Sequence, residues 1–360
     1  MRLVMHIGLN KAGSSFLQDA LSHNGATLAR EGIAYPNPIR VSASQSFRQT
    51  GNGLDLALAL RRRDGEGVAN AIRHIFDGAG AAETVVVSNE SIFHQLIAPE
   101  AHALLRSSLA NHGIEDVTYI VVFRNIFRHA VSAYCHRAGN HAVAPFHRWI
   151  EPVRAKSDDS LGIQDDRRPS TEVYEFWQEF PELVRLLQAE TREQWHLLRQ
   201  ECGILDSLGE VLGVRLEEPR RKQSNVAMNL LEAELARQLW NVSPSIARAY
   251  RRMAKETPSS EKSADSSVRS EYYDAIGEHL DVLEASLADL YRIAGPSFGS
   301  IHERPIVELG GVRSPSGYSD QQVRALLAGV RIGRRDHAVE MLKSRTPKSL
   351  KRTLRRLLGR

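Results

Sequence analysis

The run Met5-His6-Ile7-Gly8-Leu9-Asn10-Lys11-Ala12-Gly13-Ser14-Ser15-Phe16-Leu17-Gln18-Asp19-Ala20-Leu21 decides the fold. Leu3, Val4, Met5 and Ile7 form a short apolar run that reads as a buried strand. Gly8 and Gly13 frame a tight loop. Phe16, Leu17, Ala20 and Leu21 then recur at helical spacing, and Leu28 continues the stripe. Strand, glycine loop and helix in that order turn backbone N–H groups and a helix N-terminus toward one spot, which suits a phosphate. Lys11 adds a positive charge, and Ser14 and Ser15 add hydroxyls where the helix begins. The glycine spacing is that of a Walker A loop, but Lys11 precedes Gly13 where that motif puts its Lys after the second glycine.

Working outward, Gly32 to Pro36 reads as a short strand stopped by proline, and Arg40 to Asn52 as a polar loop over the cleft. Leu54 to Arg61, Val68 to Phe76 and Pro99 to His112 carry helical stripes. Thr84 to Val87 is an unbroken β-branched run, the pattern of a strand covered on both faces; it leads into Ser88-Asn89-Glu90-Ser91. Val117 to Phe123, V-T-Y-I-V-V-F, is the strongest strand signal in the chain. Strands alternating with helices predict an α/β fold with a parallel sheet.

The strand from Val117 runs straight into Arg124. A nucleoside triphosphatase holds magnesium partly through an Asp at a strand end; neither apolar run supplies one. An arginine at a strand tip is a fork donor for an anion. Ser132 follows eight residues later on a helix that also carries Arg128 and Val131.

The order Lys11-Ala12-Gly13-Ser14-Ser15-Phe16-Leu17-Gln18 resembles the 5′-phosphosulfate loop, K-T-G-T-T, of sulfotransferases that use 3′-phosphoadenosine 5′-phosphosulfate (PAPS). Ala12 stands where that loop has its first Thr. F-R-N-I-F-R-H-A-V-S-A-Y, Phe123 to Tyr134, is similar to the family's R-x7-S segment, with Asn125 in place of the common acid. The H-I-G-x-x-K start and V-V-V-S-N-E resemble bacterial carbohydrate sulfotransferases in particular. The likeness covers about Arg2 to Asn140 and extends more thinly to Leu205–Val214 and the basic loop Arg220 to Asn225. It implies that Lys11, Ala12, Gly13, Ser14, Ser15 and Phe16 bind the 5′-phosphosulfate, that Arg124 and Ser132 bind the 3′-phosphate, and that Arg221 covers the nucleotide. It also implies a P-loop-like, three-layer version of the α/β fold.

Sulfuryl transfer needs an electrostatic partner for the leaving phosphate, a task for Lys11 and the loop amides. It also needs a base within reach of the acceptor. Glu90 is the candidate base, with a scaffold role in capping or pairing as the alternative; His6 and His94 rank behind it. No metal is required. His129, His136, His141 and His147 match no zinc spacing. Ala138 to Trp149 is expected to border the acceptor pocket.

The 360 residues carry a formal net charge of +4. Eight of the 47 Lys and Arg lie in 343–360, so the remaining chain has fewer cations than its 43 acids, and its basicity does not imply nucleic acid as a partner. Two cysteines, Cys135 and Cys202, supply no disulfide framework. With no membrane-length apolar run and no signal-peptide core at the start, the expected location is the cytoplasm. Val173 to Arg199, Met228 to Trp240, a segment opening at Pro244 and Tyr272 to Ile293 read as helical; Lys156 to Ser170 and Gly295 to Gly317 read as loops. The expected organisation is an α/β domain at 1–255, a flexible linker at 256–268, a helical extension at 269–342 and a basic amphipathic tail at 343–360. The tail places Leu350, Leu354, Leu357 and Leu358 on one face, suited to peripheral contact with the inner face of a membrane or with a polyanionic glycan.

The expected function is therefore transfer of a sulfuryl group from PAPS to a hydroxyl or amine of an acceptor, a carbohydrate or glycolipid. Two other classes stay open: a nucleoside-triphosphate-dependent small-molecule kinase, which requires magnesium, and an inactive module that binds the product nucleotide and docks on glycans.

Overall fold

Three apolar runs become the middle of one sheet. Val4, Met5, Ile7, Val85, Val86 and Tyr119 to Phe123 are all fully buried. Burying each such side chain contributes roughly 1.5–3 kcal/mol. The computed structural model describes residues 1–36, 51–141, 143–152, 176–189, 194–219, 230–256 and 271–305. In chain order the elements are β1 (Arg2–Gly8), α1 (Ser14–His23), α2 (Gly25–Arg30), β2 (Ile33–Ala34), α3 (Leu54–Arg62), α4 (Gly65–Ala79), β3 (Thr84–Ser88), α5 (Phe93–Leu96), α6 (Pro99–Asn111) and β4 (Asp116–Phe123). There follow α7 (Ile126–Asn140), α8 (Phe146–Ile150), α9 (Phe176–Ala189), β5 (Gln194–Arg199), α10 (Ile204–Leu212), α11 (Leu230–Val242) and α12 (Pro244–Glu256). A helical stretch at 271–277, a 3₁₀ turn at Leu280–Leu283 and a helix at Glu284–Ala294 come last.

The chain is α/β, with a five-stranded, all-parallel central sheet flanked by helices. Its strand order is β2-β3-β1-β4-β5. The register of β1 on β4 slips between His6 and Gly8, so Ile7 is the extra residue of a bulge at the strand end. Such a bulge re-aims the chain as it leaves the sheet.

Two sequence readings need correction. Val173 to Arg199 is not one helix: α9 ends at Ala189, and Gln194–Arg199 is β5, pairing with β4 from Thr118↔Gln194 to Phe123↔Arg199. As an edge strand it buries only Leu198, so its apolar alternation is weak and the Leu197-Leu198 pair mimics a helical face. Tyr272 to Ile293 is likewise broken, by the turn and 3₁₀ segment between 278 and 283. The short strand at Gly32 to Pro36 is pared to Ile33–Ala34. Positions 40–50 of the polar loop lie outside the described residues, as do the readings at Lys156 to Ser170, Arg220 to Asn225, 257–267, 306–342 and the tail at 343–360. Among the described residues no helix is long and apolar enough to cross a membrane.

The described residues fall into two compact units. One draws on Met1–His129, Glu175–Lys222 and Leu280–Glu303 and contains the sheet. Within it, the segment after the last helix closes over the end of β4: Ile126 N–H donates to Ile301 O at 2.8 Å, and Phe298 meets Phe123 edge-on at 5.4 Å. The other unit draws on Ala130–Tyr174, Gln223–His279 and Arg304–Arg360. Its centre is Tyr134, ringed by Phe146, Trp149 and Tyr272, with its hydroxyl donating to Glu234 Oε2 at 2.9 Å. The aromatic residues Phe146 and Trp149, expected near an acceptor, are buried here.

Candidate functional site

After β1 the chain crosses to β2, two strands away on one side; after β4 it returns as β5 on the other side. The connections diverge, so a crevice opens between the C-terminal ends of β1 and β4. Open parallel sheets hold ligands at that switch point. The Lys11 loop leaves one strand there and Arg124 leaves the other.

The loop is held by its carbonyls. Leu9 N–H donates to Val122 O at 3.0 Å, tying the loop to β4. Leu9 O accepts from Ser14 Oγ at 3.3 Å, Asn10 O from His129 Nε2 at 2.7 Å, and Lys11 O from Arg124 Nη1 at 3.1 Å. Three successive carbonyls are thus turned onto side-chain donors of the protein. Lys11 has a left-handed backbone, φ 62°, and Gly13 follows at φ 102°, a conformation that Gly adopts without strain. α1 then starts, its first bond running from Leu17 N–H to Gly13 O at 3.1 Å. No side chain caps it at Gly13, and the N–H groups of Ser14 and Ser15, in the first turn, have no intrahelical acceptor. A loop followed by an uncapped helix start is an arrangement that can hold an anion.

His129 is 6 % exposed, and burial, reinforced by the charges of Arg124 and Lys11, lowers its pKa to about 4 despite its bond to Asn10 and the nearby Glu179. Neutral, it keeps the Nε2–H that Asn10 O accepts. Behind Arg124, Asn125 caps α7: its Oδ1 accepts from Arg128 N–H at 3.4 Å, its own N–H donates to Glu201 Oε1 at 3.0 Å, and its Nδ2 to Glu303 O at 2.8 Å. Asn125 thus uses its side-chain amide as both donor and acceptor, and Glu201 supplies the carboxylate that takes its backbone N–H.

The segment after β3 forms the other wall. Gly8 has φ 146°, and a Cβ there would meet Phe93 Cβ at 3.2 Å and Glu90 O at 3.5 Å, so this segment lies directly on the loop. Glu90 Oε2 accepts from Gln18 Nε2 of α1 at 3.2 Å. His94 meets the side chain of Asn10 and pairs with Glu179. Below them, His6 Nδ1 lies 2.8 Å from Ser88 Oγ. Burial lowers the His6 pKa to about 4 against the raising effect of the Gly8 backbone.

Of the expected site residues, Lys11, Ala12, Gly13, Ser14, Ser15, Phe16 and Arg124 come together at this crevice, with Glu90 beside it on Gln18. Ala12 is fully buried and offers only its backbone. Ser14 faces inward and Ser15 is exposed. Ser132 is half-buried on α7, in the second unit; Arg221 lies outside the described residues. Sequence reasoning named His129 only in setting aside a zinc site, and missed Glu179 and Glu201, which are distant in sequence and carry no local motif. It ranked His94 behind Glu90 without the contacts to Asn10 and Glu179 that the fold brings to it. A groove of about 480 Å³ on β5, lined by His196, Arg199, Cys202, Glu210 and Phe298 among others, includes none of the expected residues. No family model, curated protein or solved structure matches this chain.

Proposed function

We propose that this chain is a sulfotransferase that moves a sulfuryl group from PAPS to a hydroxyl or amine of a carbohydrate or glycolipid acceptor. The observation that carries this reading is the meeting of Lys11 and Arg124, through the 3.1 Å bond to the Lys11 carbonyl, at one crevice. Anion-binding groups from two strand ends suit a nucleotide with two separated anionic groups, on its 5′ and 3′ sides. A triphosphate gathers its charge in a single chain and calls for a strand-end Asp to hold magnesium; β1, β3 and β4 end in Gly8, Ser88 and Phe123. The loop after β1 and the N-terminus of α1 fit a P-loop-like use of the fold.

In this reading the loop amides, Ser15 and Lys11 grip the 5′ group, and Arg124 grips the 3′-phosphate. PAPS, when bound, supplies an activated sulfuryl group. The Lys11 ammonium stabilises charge that grows on the 5′-phosphate as transfer proceeds. The acceptor loses its proton to a base on the segment after β3, which carries both Glu90 and His94.

Calorimetry with 3′-phosphoadenosine 5′-phosphate, ATP and adenosine 5′-phosphate tests the cofactor. The 3′-phosphorylated nucleotide should bind at least about tenfold more tightly than the other two. Arg124→Ala should remove that preference, and Arg124→Lys, which keeps the charge and loses the fork, should weaken it. Equal binding of all three, or magnesium-dependent binding of ATP alone, would refute the reading.

A further inference from the structure

His94 on α5 is engaged at both ring nitrogens. Nδ1 lies 2.7 Å from Oε1 of Glu179 on α9. Nε2 meets the side-chain amide nitrogen of Asn10, the residue before Lys11. A carboxylate accepts, so Nδ1 carries the proton and Glu179 takes its hydrogen bond. An amide N–H donates, so Nε2 turns a lone pair toward the loop. The ring is held in the tautomer of a base, with a carboxylate behind it and its lone pair facing the cradle. The side chains of His94 and Glu179 are 25 % and 21 % exposed, so the pair is reachable from solvent rather than sealed in the core. Glu90, by contrast, already gives an oxygen to Gln18. Glu179 also acts, with Arg124 and Lys11, on the ring of His129.

We propose, resting on the sulfotransferase reading above, that His94 is the general base for the acceptor and that Glu179 is its positioning residue. The acceptor hydroxyl displaces the Asn10 amide and gives its proton to Nε2. Its oxygen forms the bond to sulfur, and the bridging S–O bond breaks. The electron pair of that bond stays on the departing 5′-phosphate, whose charge Lys11 meets. His94 then returns its proton to water. Asn10 has a part in this design: it keeps the lone pair satisfied while no acceptor is present and lies beside the cation that receives the leaving group.

The first test needs no acceptor. Nitrogen-15 NMR of the full chain at alkaline pH, with the His94 signals assigned by their loss in His94→Asn, should show a protonated Nδ1 and an unprotonated Nε2. Glu179→Ala should abolish that tautomer preference. An Nε2–H tautomer in the wild type overturns the proposal. The second test follows sulfate release from PAPS with water as the acceptor. His94→Ala should lower kcat by at least about 100-fold, the usual size of a general-base contribution, with KM for PAPS within about twofold. Its affinity for 3′-phosphoadenosine 5′-phosphate should stay that of the wild type. Unchanged kcat in His94→Ala, with loss of turnover in Glu90→Gln, would return the base to Glu90. A parallel loss of nucleotide affinity in both His94→Ala and His94→Asn would reduce His94 to a support of the loop and overturn the proposal. Failure of the wild type to bind the nucleotide is a separate result, seen by calorimetry alone, and defeats the reading beneath.

Discussion

Ser14 and Ser15 are sequence neighbours with opposite surroundings. Ser14 is 5 % exposed and its hydroxyl donates inward to Leu9 O; Ser15 is exposed at the start of α1. The motif gave both the same task, because local sequence records the hydroxyl and not the direction in which the first helical turn points it. The structure divides the work: Ser14 shapes the loop and Ser15 faces outward. Ser15→Ala should therefore cost about tenfold in affinity for 3′-phosphoadenosine 5′-phosphate, as expected for one hydrogen bond to a charged group, and leave the melting temperature unchanged. Ser14→Ala should lower stability by about 1 kcal/mol in urea unfolding, with the smaller effect on affinity. The reverse pattern would mean that the loop reorganises on binding. Lys11 and Arg124 could be paired in advance because each ends a strong apolar run. Their clamp could not: His129 reaches the loop through the backbone carbonyl of Asn10, which no residue pattern encodes.

Strand legibility followed burial. β1, β3 and β4 are covered on both faces and appear as continuous apolar runs, so periodicity found them. β5 lies at the sheet edge with one residue buried, and its pattern dissolved into the helix before it. That omission matters, because the return of the chain to β5 is what opens the crevice between β1 and β4. A second hidden device is Asn52. β2 pairs with β3 only at Thr84 and Val85. Beyond that point the Asn52 side chain takes over the free edge of β3: Nδ2 donates to Val86 O at 2.8 Å, and Oδ1 accepts from Ser88 N–H at 2.7 Å. A residue read as part of a polar loop is in fact 5 % exposed and extends the ladder by one side chain. Asn52→Ala would leave two buried backbone groups unpaired at the root of the segment that carries Glu90 and His94. It should destabilise the protein by about 2–4 kcal/mol in urea unfolding. A loss below about 0.5 kcal/mol would show that water replaces the amide and that β3 does not depend on it.

Two buried histidines tie the stability of the sheet unit to pH. His6 lies in β1 and His129 beside the loop, 1 % and 6 % exposed, and burial holds each near a pKa of about 4 against 6.5 for a free ring. In the unfolded chain both rings take up protons as pH falls through about 6.5; in the folded chain they resist until about 4. The unfolded state therefore binds more protons across this window, and stability must fall as pH falls within it. Above about pH 6.5 both states are neutral and there is no penalty. Each ring can cost up to about 3 kcal/mol once the pH is below both values, and the pair about 4 kcal/mol between about pH 7 and pH 5. That is a large share of the roughly 5–15 kcal/mol by which a domain is ordinarily stable. Urea unfolding at several pH values should show this slope. His129→Gln, which keeps an N–H for Asn10 O and cannot titrate, should remove about half of it. His6→Asn in the same background should flatten most of the remainder, since few carboxylates titrate above about pH 5. A wild type whose stability is level from about pH 7 to about pH 5 would mean that these rings reach water in the folded protein. The neutral donor that His129 offers to the loop would then not be fixed, and the carbonyl clamp would have to be held by Arg124 and Ser14 alone.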